Sequence, residues 1–201
     1  GILAALYQRA VSGKGSLVQV SMLESALDFQ FELLTSFYNG GRENPVRSAV
    51  NNGNVYIPAP YGIYRTADGF LALAMANIPR LGELLGCAPL LVYTDPGSWF
   101  GRRDEIKQLL AEHLLTRDTG YWLAALEPAD IWCAKVMDYD ALIQEEGYRL
   151  LQMEQVVKTG NGLAIKTTRC PVRIDGAILF SQKGAPRLGE HNDVIDKQFN
   201  V

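Results

Sequence analysis

The sequence predicts an α/β chain, and three observations carry that prediction. Residues 1–38 read as helix, turn, strand and helix, an order that builds an α/β layer. Two Gly-containing turns, Ala67-Asp68-Gly69 and Thr159-Gly160-Asn161-Gly162, each lie between strand-like runs. Between and after them stand stretches with apolar residues at helical spacing.

The elements follow in order. Residues 2–11 are rich in Ala and Leu and predict a helix, with Gly13 placed as its C-terminal cap. Residues 17–20 read as a short strand. Ser21 followed by Glu24 is a capping box that opens a helix running to about Tyr38, with Leu23, Leu27, Phe31, Leu34 and Tyr38 on one stripe. From Asn39-Gly40-Gly41 to Gly62 the chain is rich in Gly, Asn, Pro and Arg and reads as a linker of functional length. Residues 62–66 and 70–76 form the first hairpin. Asn77 and Pro79 start the next helix as cap and first-turn proline, and Gly86 ends it. Helices are expected over 102–115, 119–126 and 139–153. A second hairpin is expected over 156–166, extended by 171–174, and a last helix over 192–199.

The chain has 201 residues, with 48% hydrophobic and 20% charged, which is ordinary globular composition and not that of a disordered segment. Nineteen basic against 22 acidic residues leave a charge of −3, without the basic excess of a nucleic-acid surface. The apolar run that begins at Phe70 is much too short to span a membrane. Cys87, Cys133 and Cys170 form no C-x-x-C pair, and with only His113 and His191 beside them no metal site is expected. Free thiols point to a reducing, cytoplasmic setting. The chain starts with Gly1 inside a helical pattern, so it is read as a piece of a longer protein.

Individual residues name no reaction. Gly13-Lys14-Gly15 lacks the spacing of a phosphate loop and follows a helix, so it is read as a turn. His113 is read as a hydrogen-bonded histidine at the core edge, His191 as a surface or capping residue, and Cys133 as packed. Asp68 is explained by its turn and Asp138 and Asp140 by a helix N-terminus. Asn77 either caps its helix or presents its amide to a ligand.

Four segments in order resemble one family. They are residues 1–27 (GILAALYQRAVSGKGSLVQVSMLESAL), 59–77 (APYGIYRTADGFLALAMAN), 127–136 (EPADIWCAKV) and 184–192 (GAPRLGEHN). Together they are similar to class III CoA-transferases of the CaiB/BaiF type, which include formyl-CoA and carnitine CoA-transferases and α-methylacyl-CoA racemases. The resemblance implies an incomplete Rossmann-like large domain plus a small α+β inserted domain. Residues 1–42 would belong to the large domain and linker, 43–150 to the small domain, and 151–201 to the return linker and the C-terminal part of the large domain. Two such subunits would interlock as a homodimer.

The same resemblance implies the chemistry. An aspartate attacks an acyl-CoA thioester to give a mixed anhydride, CoA thiolate attacks the aspartyl carbonyl, and the acyl group passes on. Coenzyme A is a substrate, a carboxylate is the acceptor, and no tightly bound cofactor, metal, nucleic acid or membrane is involved. The nucleophilic aspartate is expected upstream of Gly1, so no residue here takes its role and the fragment alone is expected to be inactive. Tyr61, Gly62 and Asn77 are the implied substrate contacts. The segment matching the family's glycine-rich loop, residues 51–61, has one glycine, Gly53, and departs from the formyl and oxalyl pattern. Racemases carry a Glu where this chain has Ala76-Asn77-Ile78, which favours transferase over racemase. A non-catalytic piece that folds, dimerises or binds acyl-CoA is the third reading. The large-domain part, lacking a sheet to pack on, is expected to leave an apolar patch.

Overall fold

Local signals decide most helix ends. In the computed structural model, which describes residues 1–51 and 53–199, helix α1 (Ile2–Ser12) stops at Gly13, whose φ of 72° is the left-handed cap that glycine permits. Helix α2 (Met22–Asp28) opens on the expected box: Ser21 accepts from the Glu24 N–H, and the Glu24 carboxylate accepts from the Ser21 N–H. Helix α3 (Phe31–Asn39) is separate from α2. The single helix expected over this stretch breaks because the Gln30 N–H bonds the carbonyl of Leu27, three residues back, which tightens the turn. The strand expected at 17–20 does not form. The chain there pairs with no neighbour among the described residues, and Leu17 and Val20 are exposed. No residue of α1, α2 or α3 is buried, and Leu3, Met22 and Phe29 are 82%, 91% and 91% exposed.

The core begins after the linker. Strands β1 (Gly62–Arg65) and β2 (Phe70–Leu73) form the expected Asp-Gly hairpin, and β3 (Cys133–Lys135) adds to β2 to give an antiparallel sheet of order β1-β2-β3. Helix α4 (Ile78–Leu85) is capped by Asn77, whose side-chain oxygen accepts from the Arg80 N–H at 2.9 Å, and ends at Gly86 with φ 67°. Helices α5 (Arg103–Leu114) and α6 (Thr119–Leu126) complete the layer. Tyr64, Leu71 and Leu73 from the sheet pack with Ile78, Leu81, Leu90, Ile106, Leu110, Leu114, Trp122 and Leu126. The linker is tied down onto α5. The Ser48 hydroxyl donates to Asp104 Oδ1 at 2.6 Å, and the Arg103 guanidinium donates to the Val46 carbonyl at 2.8 Å.

Gly1–Val136 form one compact unit and Met137–Val201 a second. In the second, the helix expected over 139–153 is two short ones, α7 (Tyr139–Leu142) and α8 (Glu146–Leu151). Glu145 takes an extended ψ of 138° between them, and the glycine that follows at 147 is a poor helix former. Strands β4 (Glu154–Lys158) and β5 (Ala164–Thr168) pair as the expected hairpin. Residues 171–174 do not extend it. Instead β6 (Arg173–Ile174) pairs with β7 (Ala177–Ile178) across Asp175-Gly176, both at positive φ, the geometry of a type I′ turn. Helix α9 (Asn192–Phe199) is as expected. The fold is α/β, with helices and small sheets.

Candidate functional site

The outer face of the three-stranded sheet forms the floor of a cavity of about 720 Å³. Alternation produces it. Gly62, Tyr64, Leu71 and Leu73 turn to the core, which leaves Ile63 and Ala72 on the opposite face. The register sets Ile63 opposite Ala72 and Ala72 opposite Ala134, so one cross-strand row of small and apolar side chains lies under the opening. Tyr61, Ile131, Trp132 and Cys133 add walls, and Glu127 and Asp130 border it as acidic side chains.

The linker shapes one edge. Gly53 lies against the Tyr61 ring so closely that a Cβ there would meet Cδ1 at 2.5 Å. The Asn51 carbonyl covers Gly62 in the same way, which leaves no room for a side chain at 62. Asn52, in the middle of the segment matched to the family's glycine-rich loop, lies outside the described residues. Tyr64, buried beneath, donates its hydroxyl to the Pro60 carbonyl at 2.5 Å, and burial raises its pKa far above the ordinary tyrosine value.

Of the three residues singled out from the sequence, Tyr61 and Gly62 both line this cavity. Asn77 stands apart from it at the N-terminus of α4, with its amide oxygen engaged as the cap. Cys133 is half-buried in the wall. Burial first, and the Glu127 carboxylate second, push its thiol up from the ordinary value.

His113, Asp138 and Asp68 each have a structural partner. His113 Nε2 donates to the Leu85 carbonyl at 2.8 Å and its ring lies 5.3 Å from that of Trp122. Asp138 caps α7 through the Ala141 N–H at 2.8 Å. Asp68 accepts from the Thr119 backbone and hydroxyl, which hold its carboxyl below the ordinary aspartate value. Sequence reasoning missed the buried Lys107, whose ammonium has no hydrogen-bond partner, and Arg169, 4% exposed. Among the described residues, no group of three or more His, Cys, Asp and Glu is placed to hold a metal ion. None of the helices among them is long and apolar enough to cross a membrane.

The profile of CoA-transferase family III matches residues 1–192. The chain belongs to that family. An acetyl-CoA:oxalate CoA-transferase of Acetobacter aceti is 27% identical over 99% of this chain and 51% of its own length. A succinate–glutarate CoA-transferase of Agrobacterium fabrum is 23% identical over 94% of this chain and 48% of its own. A CaiB/BaiF family protein from Brucella suis has the same fold at a TM-score of 0.69 and 20% identity, with 98% of this chain and 51% of that one covered. The chain thus spans about half the length of the curated relatives it matches. These relatives are named as CoA-transferases, which does not favour the racemase alternative.

Proposed function

We propose that this chain is the C-terminal half of a CoA-transferase that moves CoA between an acyl-CoA and a carboxylic acid. The observation that carries the reading is the family match over residues 1–192. In the proposed reaction an aspartate outside this chain attacks the thioester carbonyl. The C–S bond breaks, CoA leaves as thiolate, and an aspartyl–acyl anhydride remains. The thiolate attacks the aspartyl carbonyl, releasing the first carboxylate and leaving an aspartyl-CoA thioester. The acceptor carboxylate attacks that thioester and expels the thiolate again, giving a second anhydride. The thiolate then takes the acceptor's carbonyl, and the aspartate carboxylate is regenerated. Each hard exchange becomes a series of easier acyl transfers.

In this proposal residues 1–42 and 151–201 belong to a Rossmann-like large domain and 43–150 to an inserted small domain. The full protein acts as an interlocked homodimer in the cytoplasm, with CoA as substrate and no bound cofactor. The exposed apolar side chains of α1 to α3, such as Leu3 and Phe31, support the idea that these helices are covered in the whole molecule. Tyr61 and Gly62 contact substrate from the sheet cavity. Asn77 acts through the helix it caps.

Hydroxylamine tests the reading. The full-length protein, incubated with acetyl-CoA or octanoyl-CoA and hydroxylamine, should accumulate a hydroxamate on one aspartate, found by peptide mass spectrometry. No such adduct with either thioester sinks the mechanism and leaves a non-catalytic acyl-CoA-binding piece.

A further inference from the structure

We propose that the cavity over β1-β2-β3 receives the acyl group of the acyl-CoA, and that it selects an uncharged, apolar acyl chain whose bulk is set by Ala72 and Ala134. This deepens the transferase reading and rests on it for the identity of the ligand.

Four observations converge. The volume, about 720 Å³, lies in the range of small-molecule sites. The floor is one cross-strand row, Ile63, Ala72 and Ala134. Central strand positions ordinarily carry β-branched or aromatic residues, and two adjacent alanines leave depth where such side chains would stand. Trp132, a large aromatic side chain of the same lining, is 66% exposed. Glu127 and Asp130 border the opening. An acyl group with a second carboxylate would bring like charge against them, whereas an alkyl or aryl chain would not. A methylene lying on this floor removes apolar surface from water on both sides, on the order of 0.8 kcal/mol for each one fully buried.

Binding of octanoyl-CoA and of succinyl-CoA to the full-length protein is measured by isothermal titration calorimetry. Octanoyl-CoA should bind at least about fivefold more tightly than succinyl-CoA, given that a few contacts of this kind change affinity by tenfold or more. In A72L and A134L that preference should be lost, and the ratio of kcat/KM for octanoyl-CoA to that for acetyl-CoA should fall about tenfold or more. If a leucine variant does not fold, A72V and A134V are read in its place. Equal affinity for succinyl-CoA, or an unchanged preference and an unchanged ratio in the variants, overturns the proposal. The two readings fail separately. An aspartyl hydroxamate without a preference for octanoyl-CoA removes the cavity from acyl recognition and leaves the transferase. A preference for octanoyl-CoA that the variants abolish, without a hydroxamate, keeps the cavity and removes the transferase.

Discussion

Asp68 and Thr119, 51 residues apart in the chain, are joined twice: Asp68 Oδ1 accepts from the Thr119 N–H and from its hydroxyl, both at 2.8 Å. The turn of the β1-β2 hairpin is thereby fastened to the start of α6, and the buried Thr66 hydroxyl lies 2.7 Å from that of Thr119. One carboxylate serves a turn and a helix start at once.

That junction responds to acid in a predictable direction. Asp68 has a lowered pKa because the Thr119 N–H, then its hydroxyl, favour the charged form. The folded state therefore binds this proton less readily than the unfolded one. Its contribution is present above the ordinary value of 3.8 and is lost as pH falls through and below it. D68N should lower the urea midpoint at pH 7, and the gap from the parent should narrow between pH 4 and pH 2, or thereabouts. A gap that stays constant across that window contradicts the assignment.

Lys107 should cost stability. It is fully buried on α5 and its ammonium has no hydrogen-bond partner; burial lowers its pKa, with Asp104 opposing and Arg103 adding to that effect. Burial disfavours the charged amine, so the penalty is full below the lowered folded-state pKa and fades as pH rises through it toward the ordinary value of 10.5. K107M should raise the thermal midpoint at pH 7 by more than it does at pH 10. Destabilisation at both would show that a partner for the amine has been overlooked.

Arg169 holds the end of α8. Its guanidinium donates to the carbonyls of Leu151 and Gln152 at 2.6 and 2.8 Å and to that of Cys170 at 2.6 Å. The first two are orphan acceptors at the helix C-terminus, and the third lies in the loop after β5. R169K keeps the charge but cannot reach three carbonyls with one ammonium, and should cost about 1–3 kcal/mol, the range for hydrogen bonds lost from a charged donor. Amide exchange of β4 and β5 should accelerate accordingly, while that of α4 to α6 serves as the reference.

The three thiols should react in a fixed order. Cys170 is exposed, Cys133 half-buried and Cys87 buried, and burial raises the pKa of the last two. At pH 7 iodoacetamide should label Cys170 first and Cys87 last. E127Q should speed labelling of Cys133, since the Glu127 carboxylate opposes its thiolate. No change in E127Q would place Glu127 too far from the thiol to matter.

Local signals were read correctly where the interaction is local. The Ser21–Glu24 box, the Asn77 cap, Gly13 and Gly86 and the two hairpins all close within a few residues. The failures have two different causes. Residues 17–20 have strand-like side chains, but a strand requires a partner, and none is paired with them among the described residues. The pair Asp175-Gly176 is a hairpin signal that was passed over because the runs beside it are only two residues each. Tyr61 and Gly62 are visible in the sequence only through the resemblance of residues 59–77, while Ala72, Trp132 and Ala134 lie inside the resembling segments 59–77 and 127–136 without standing out there.

The sequence by itself determined the α/β class, the helix caps, the hairpins and the family. Each rests on residues that interact within a turn or on an ordered series of segments. Only the tertiary structure decided that β3 pairs with β2, that Ile63, Ala72 and Ala134 share one face, and that Lys107 and Arg169 are buried. Those facts depend on register between segments about sixty residues apart, and a shift of one residue would turn every side chain in a strand to the opposite face. The cavity exists because that register sets small side chains side by side, a relation that side-chain identity alone does not encode.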